Sequence, residues 1–319
     1  MPKLLRALLA SACLSTLAFV PVASHADAPM AKAQAPAFYR TMVGDFEVTV
    51  LSDGTIKLPV TKLLQGDPTK VGDALRRNFL GQEVETSVNG FLVNTGGKLV
   101  LIDTGAGTTF GPTLGTLANN LRAAGYRPEQ VDEIYITHMH ADHVGGLVNT
   151  AGRTFPNAIL RIDKRDTDYW LSEANMNAAP ADAKDFFKAA MATVTPYKDA
   201  GKLKTFEGPT NLAPGIRAIS AYGHTPGHTA YVVESKGEQL VLWGDLMHVA
   251  AVQFEDPTVT IAFDTDSASA EKAREAAFSD AAKGGYWVGA AHLPFPGIGH
   301  LRAADKGYVF VPANYSSLK

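Results

Sequence analysis

The stretch YITHMHADHVGG (Tyr135 to Gly146) places three histidines and an aspartate between His138 and His143. It continues the short apolar run VDEIYIT, which reads as a buried strand, and it ends on a Gly-Gly turn. Neutral imidazole and carboxylate suit zinc and its neighbours among the divalent metals. In an extended loop, His138 and His140 point the same way and can share one ion. Asp142 and His143 then reach in the other direction, so one loop can feed two ions. The competing reading is a hydrogen-bonded polar corner of the core.

Two open metal ions need about three protein ligands each, so this loop alone is not enough. The missing ligands are expected at other strand ends. His224 stands in YGHTPGH just after IRAIS, Asp245 closes LVLWGD, and His292 closes GYWVGAAH. Each lies where a short apolar strand stops, the position that converges on a common site in layered folds.

The rest of the chain supplies the layers. FEVTVLSDG alternates as a strand, and NGFLVNTGGKLVLIDTG reads as a hairpin turning at Thr95-Gly96-Gly97. A helix is expected from Pro112 to Ala124, with Leu114, Leu117 and Leu121 on one side. AILRID is a strand, followed by helical segments to about Thr193. TAYVVES and QLVLWGD are strands, and a helix is expected from Ser267 to Lys283. The stretch from Thr55 to Gly81 is irregular, either a lid over a site or a covering loop. Strands and helices alternating in two similar halves predict an α/β fold, with helices flanking paired sheets in one domain.

The first 26 residues carry Lys3 and Arg6, an apolar run to about Val22, then small residues at Ser24 and Ala26. That layout predicts a signal peptide cleaved after Ala26 and an exported, periplasmic or secreted protein. Residues 27–40, rich in alanine and proline, are expected to form a flexible arm ahead of a domain spanning 41–319. The single cysteine, Cys13, falls in the leader, so the mature chain must be stable without disulfides. Without Lys3 and Arg6, 27 basic residues face 32 acidic ones. No basic stripe appears, which argues against a nucleic-acid partner; no membrane partner is expected either.

THMHADHVGG, GHTPGHT, LWGDLMH and AAH, in this order, resemble the metallo-β-lactamase superfamily, from LIDTG at Asp103 to the C-terminus. GHTPGHTAYVVES, GDLMHVAAVQFEDPTVT and AHLPFPGIGHLR look most like its methyl parathion hydrolase and aryl-lactonase branch. The resemblance implies a four-layer αβ/βα sandwich. It also implies two divalent cations per chain, zinc foremost, and a homodimer. Carried over residue by residue, His138, His140 and His224 would hold one ion. Asp142, His143 and His292 would hold the other, with Asp245 bridging. Best-known β-lactamases of the superfamily have cysteine where Asp245 stands, so an oxygen bridge argues for ester, lactone or phosphoester hydrolysis. Two bridged cations would acidify a shared water to hydroxide at working pH.

Asp142 and His248 are the expected catalytic residues. His248 stands three residues after Asp245, where acyl-homoserine lactonases carry a tyrosine and methyl parathion hydrolases a leucine. A histidine there can donate to a carbonyl oxygen or protonate a leaving alkoxide. It favours an aryl lactone or ester over an organophosphate triester or an acyl-homoserine lactone; a plain pocket-lining residue is the alternative. Phe110, Trp170 and Phe187, with Leu63, Ile261 and Phe263, match the apolar wall of that branch and imply a small apolar or aromatic substrate. Asp103 is expected either to orient a ligand histidine or to cap a turn. His228 is expected to be a hydrogen-bond partner and His300 structural. A non-catalytic metal- or solute-binding protein is the rival from another class, and the intact set of ligand positions argues against it.

Overall fold

The computed structural model describes residues 28–32, 34–181 and 183–318. Two seven-stranded sheets are each laid out in chain order. The first runs Phe38–Val43, Phe46–Leu58, Val84–Asn94, Leu99–Ile102, Glu133–Tyr135, Ile159–Asp163, Leu203–Phe206. The second runs Thr210–Ala213, Ile216–Ser220, Thr229–Ser235, Glu238–Leu242, Trp287–Gly289, Ile298–Ala303, Tyr308–Pro312. Pairing in the first sheet is antiparallel up to Leu99–Ile102 and parallel beyond it.

Alternation sorts the side chains into layers. Val48 and Val50 sit opposite Val93 and Phe91. They pack with Tyr231, Val233, Leu240 and Leu242 of the second sheet in one buried cluster between the sheets. Their neighbours Leu51, Leu92 and Leu101 belong to another cluster, with residues of helices Leu117–Ala123, Lys164–Trp170 and Lys184–Asp199. Val232, Val241 and Val288 pack with Phe278 and Ala281 of helix Ser267–Gly284. Each fully buried Leu, Val or Phe contributes about 1.5–3 kcal/mol, so four layers with three apolar seams form the αβ/βα sandwich.

The structure corrects three boundaries. The N-terminal arm ends at residue 37, because Phe38–Val43 already pairs with the next strand across the turn at Gly44. The helix expected from Pro112 starts at Leu117. Gly111 and Gly115 adopt φ of 89° and 84°, left-handed conformations that keep the segment a turn. The stretch read as irregular contains two helices, Val60–Leu63 and Pro68–Arg77. Asp67 caps the second by accepting from Thr69 N and Lys70 N, and Val71, Ala74 and Leu75 are its buried face. The expected leader lies outside the described residues. Among the described residues no helix is long and apolar enough to cross a membrane.

Candidate metal centre

The ligand positions gather where strands of both sheets end. The His138–His143 loop leaves strand Glu133–Tyr135, and its last three residues lie on the short helix Ala141–Val144. His224 follows Ile216–Ser220, Asp245 follows Glu238–Leu242 and His292 follows Trp287–Gly289. The Gly-Gly turn is required sterically. A Cβ on Gly145 or Gly146 would lie 2.1 Å from Ala106 O or 1.9 Å from Thr104 O.

Two clusters result, sharing Asp245. In His138, His140, His224 and Asp245, and again in Asp142, His143, His292 and Asp245, the candidate ligand atoms lie within 4.8 Å of one another. His140 Nδ1 is 3.1 Å from His224 Nε2. Asp245 Oδ2 is 3.6 Å from His138 Nε2 and 3.1 Å from His292 Nε2, and its Oδ1 is 3.2 Å from His143 Nε2. Asp142 Oδ2 is 3.4 Å from His292 Nε2.

Electrostatics suits cations in both places. Burial pushes His138, His140 and His224 well below the ordinary histidine range, leaving neutral rings with lone pairs to give. In the second cluster burial works the same way, but carboxylates overrule it. Asp245, Asp142 and Asp103 hold His143 well above the ordinary range, and Asp245 raises His292. Against its own burial, Asp245 is held well below the usual carboxylate range by His143, His292 and His138. The second cluster therefore demands positive charge, as protons or as a cation. His138 Nε2, His143 Nε2 and Asp245 Oδ1 are buried with no hydrogen-bond partner. Such orphans are costly in an interior, and a cation in each cluster satisfies all three.

A surrounding set of groups aims the ligands. Asp103 accepts from Thr137 N and Thr137 Oγ1, both at 2.8 Å, and lies 2.9 Å from His143 Nδ1, so it orients that ring. His228 Nδ1 donates to Ala221 O, which leaves Nε2 to accept from Asp245 N at 3.0 Å. His292 Nδ1 donates to Ser87 O, and His224 Nδ1 faces Asp264 Oδ1 at 2.8 Å. Asp166 accepts from Met139 N, inside the histidine loop, and from Gly227 N. Ser87, Asp166 and Asp264 escaped the sequence reading. They act across long separations in the chain, and no local pattern marks them. His300 lies away from this group, its ring 3.8 Å from that of Trp287.

Residues 84–292 match the Metallo-beta-lactamase superfamily. The chain belongs to the metallo-beta-lactamase superfamily. Among solved structures it is similar to hydrolase AbOPH in the beta lactamase superfamily, at 35% identity and a TM-score of 0.85, covering 89% of this chain and 100% of that one. It is also similar to AidC, a dizinc quorum-quenching lactonase solved with the product N-hexanoyl-L-homoserine. There the identity is 27% and the TM-score 0.81, over 88% of this chain and 99% of that one. An N-acyl homoserine lactonase of Bacillus cereus is 27% identical over 148 residues, 46% of this chain and 51% of that protein. The chain spans about half the length of the curated relatives it matches.

Within this superfamily scaffold a cavity of about 120 Å³ opens onto both clusters. His248, Phe110 and Phe263 line it, together with Ile56, Leu58, Leu114 and Phe186. Four residues expected in the wall lie elsewhere. Phe187 points into the helix–sheet core, and its neighbour Phe186 takes the cavity position. Trp170 is buried in that same core and meets the His140 ring edge-on at 5.3 Å, so it backs a ligand and does not face the cavity. Ile261 is fully buried and Leu63 partly so, both packed in a cluster with Val60, Leu64 and Leu75.

Proposed function

We propose that the chain is a two-metal hydrolase of small lactones and aryl esters, acting outside the cytoplasm where its leader-like N-terminus would send it. The observation that carries the substrate reading is His248. Its ring forms part of the cavity wall, stacks on His292 at 4.9 Å and 20°, and brings Nε2 to 3.1 Å from Asp245 Oδ2. Its Nδ1 is buried without a partner. Two divalent cations on the seven ligands would lower the pKa of water and polarise the scissile carbonyl. With Asp245 engaged by the cations, His248 would then donate its Nε2–H to the carbonyl oxygen or to the leaving alkoxide or phenoxide. Asp142 lines the same cavity. Its Oδ2 faces His143 and His292, which leaves Oδ1 to accept the proton of the attacking water. Nitrogen and oxygen ligands accept zinc, and AidC is dizinc, which supports zinc here.

The cavity is small beside the 300–1,000 Å³ of usual ligand pockets. Its wall is apolar and aromatic, which favours a compact aryl lactone. The second reading is an acyl-homoserine lactone, favoured by the curated relatives and by the product bound to AidC. Its acyl chain would leave past Phe110, which is 42% exposed. Zinc-loaded protein assayed side by side on dihydrocoumarin, N-acyl-homoserine lactones, a simple aryl ester and methyl parathion tests the proposal. The expected order of kcat/KM puts the aryl lactone first and the phosphotriester last. A phosphotriester in first place, or no turnover of any substrate by protein holding two metals, overturns it.

A further inference from the structure

One short segment connects the helices packed behind the cavity wall to the first metal cluster. Thr260–Ile261 pairs antiparallel with Leu64–Gln65, and Ala262 N donates to Leu63 O. This pairing holds helices Val60–Leu63 and Pro68–Arg77 as a lid behind the cavity wall: their apolar side chains pack with Ile261, Val252 and Val259 and with the wall residues Leu58 and Phe263. Two residues further on, the chain faces the site twice in succession. Phe263 lines the cavity. Asp264 reaches His224, with Oδ1 2.8 Å from Nδ1 and Oδ2 accepting from Ile261 N. Both carboxylate oxygens are therefore committed, one to a ligand and one to the lid-bound strand. Thr265 N donates to His224 O and Asp266 N to Gly223 O, so backbone bonds reinforce the same attachment.

The opposite end of the segment is tied to the loop after Asp245. Gln253, fully buried, accepts from His248 N and Val249 N and donates to Val259 O. Arg274 donates to Pro257 O and to Leu246 O. Removing any of these bonds leaves buried polar groups unpaired, so the segment is fixed from both sides.

We propose that Pro257–Asp266 is a strut coupling the lid to the His138–His140–His224 cluster, with Asp264 as the positioning residue for His224. A carboxylate on the far nitrogen of a ligand histidine fixes the ring and raises its basicity, and losing such a partner typically costs 10–100-fold in metal affinity. Asp264 is itself placed by the strand that holds the lid. Holding the lid in this packed position and loading this cluster then favour each other, and the coupling is reciprocal. The inference rests on the two-cation reading of the site and not on the identity of the substrate.

The test is zinc titration against a competing chelator, combined with amide hydrogen exchange. It compares the wild type with Asp264→Ala, Asp264→Asn and Leu64→Ala. Zinc should slow exchange at Leu64, Gln65 and Thr260 to Ala262 in the wild type. Asp264→Ala should weaken one of the two zinc affinities about 10–100-fold and abolish the zinc-dependent slowing, with Asp264→Asn in between. Leu64→Ala touches no ligand, yet should weaken that same affinity about fivefold or more. Wild-type zinc affinities in Asp264→Ala, or lid exchange in the wild type indifferent to zinc, overturn the coupling. A purely structural Asp264 would speed lid exchange equally with and without zinc. If Asp264→Ala does not fold, wild-type exchange and the Leu64→Ala titration decide: an opened lid with unchanged zinc affinity refutes the strut.

Discussion

Replacing His248 by leucine separates the proposed hydrogen-bonding role from mere wall-lining. Leucine fills much of the space of the imidazole, so the stacking on His292 at 4.9 Å and the neighbouring Phe263 ring at 5.9 Å keep a partner. Asp245 Oδ2 loses the contact at 3.1 Å to His248 but keeps His292 Nε2 at the same distance. No buried acceptor is orphaned, and the stability change should stay near 1 kcal/mol. Catalysis is another matter. Removing one donor aimed at a developing oxyanion costs about 10²–10³-fold in kcat, and shared polarisation by cations places this site at the lower end, about 10²-fold or ~2.7 kcal/mol. The loss should appear on dihydrocoumarin. On methyl parathion, whose nitrophenoxide leaves without help from an acid, kcat/KM should change by less than about threefold. The assay is steady-state kinetics on both substrates, with zinc content measured in each preparation. Equal losses on the two substrates, or no loss on either, at full zinc occupancy remove His248 from the mechanism.

Two further outcomes probe the wall and the support of the metal loop. Phe187→Ala should cost about 3–5 kcal/mol in chemical denaturation because it opens a hole in a sealed core. Phe186→Ala should cost less and raise KM, so comparable stability losses with an unchanged KM would refute the exchange of the two rings. Asp166 gives a pH signature. Burial, opposed by the backbone hydrogen bonds from Gly227 and Met139, raises its carboxyl from an ordinary 3.8 to about 7. The native state then holds a proton that the unfolded chain releases between those values. The stability tied to that proton is complete below pH 4 and is lost as pH rises through 7, about 4 kcal/mol in all. In metal-free protein, urea unfolding of the wild type relative to Asp166→Asn should show this decline. A wild-type advantage that grows with pH would reverse the sign and refute it.

The metal ligands were legible because their pattern is local. Four of the seven candidates sit within one loop, and the other three lie at or just past the ends of short apolar strands, so the strand pattern marked them and the family resemblance assigned them to two ions. The groups that aim those ligands are encoded differently. Asp264 lies 40 residues from His224 in the chain, and Asp166 lies 27 from Met139 and 61 from Gly227. A lone aspartate in a polar loop carries no sign of which backbone will meet it. The Phe186 and Phe187 exchange has a geometric cause. Adjacent residues on helix Lys184–Asp199 point about 100° apart, so placing a wall residue demands a register that resemblance did not supply. The lid helix Pro68–Arg77 is a different miss, since Asp67-Pro68 and the spacing of Val71, Ala74 and Leu75 were visible cap and face signals.

This division of legibility follows the division of labour in the fold. The ligands hang on strand ends of two sheets, each buried against a helix layer, and shifting any strand would break both core and site. Their pattern in the sequence is therefore stiff. The lid joins the segment after Val259 through the short pairing of Leu64–Gln65 with Thr260–Ile261 and the bond from Ala262 N to Leu63 O, outside both large sheets. Its residues, and Phe110 on the Gly105–Gly115 loop, can change without disturbing a sheet. Of these, Phe110 lines the cavity, so the wall is free to vary there, provided that Asp264 keeps its hold on His224. Such drift would alter the cavity wall first and the metal cluster last. Under that constraint Phe263, next to Asp264 but bonded to no ligand, is a position where a change of side chain should move specificity while zinc affinity stays fixed.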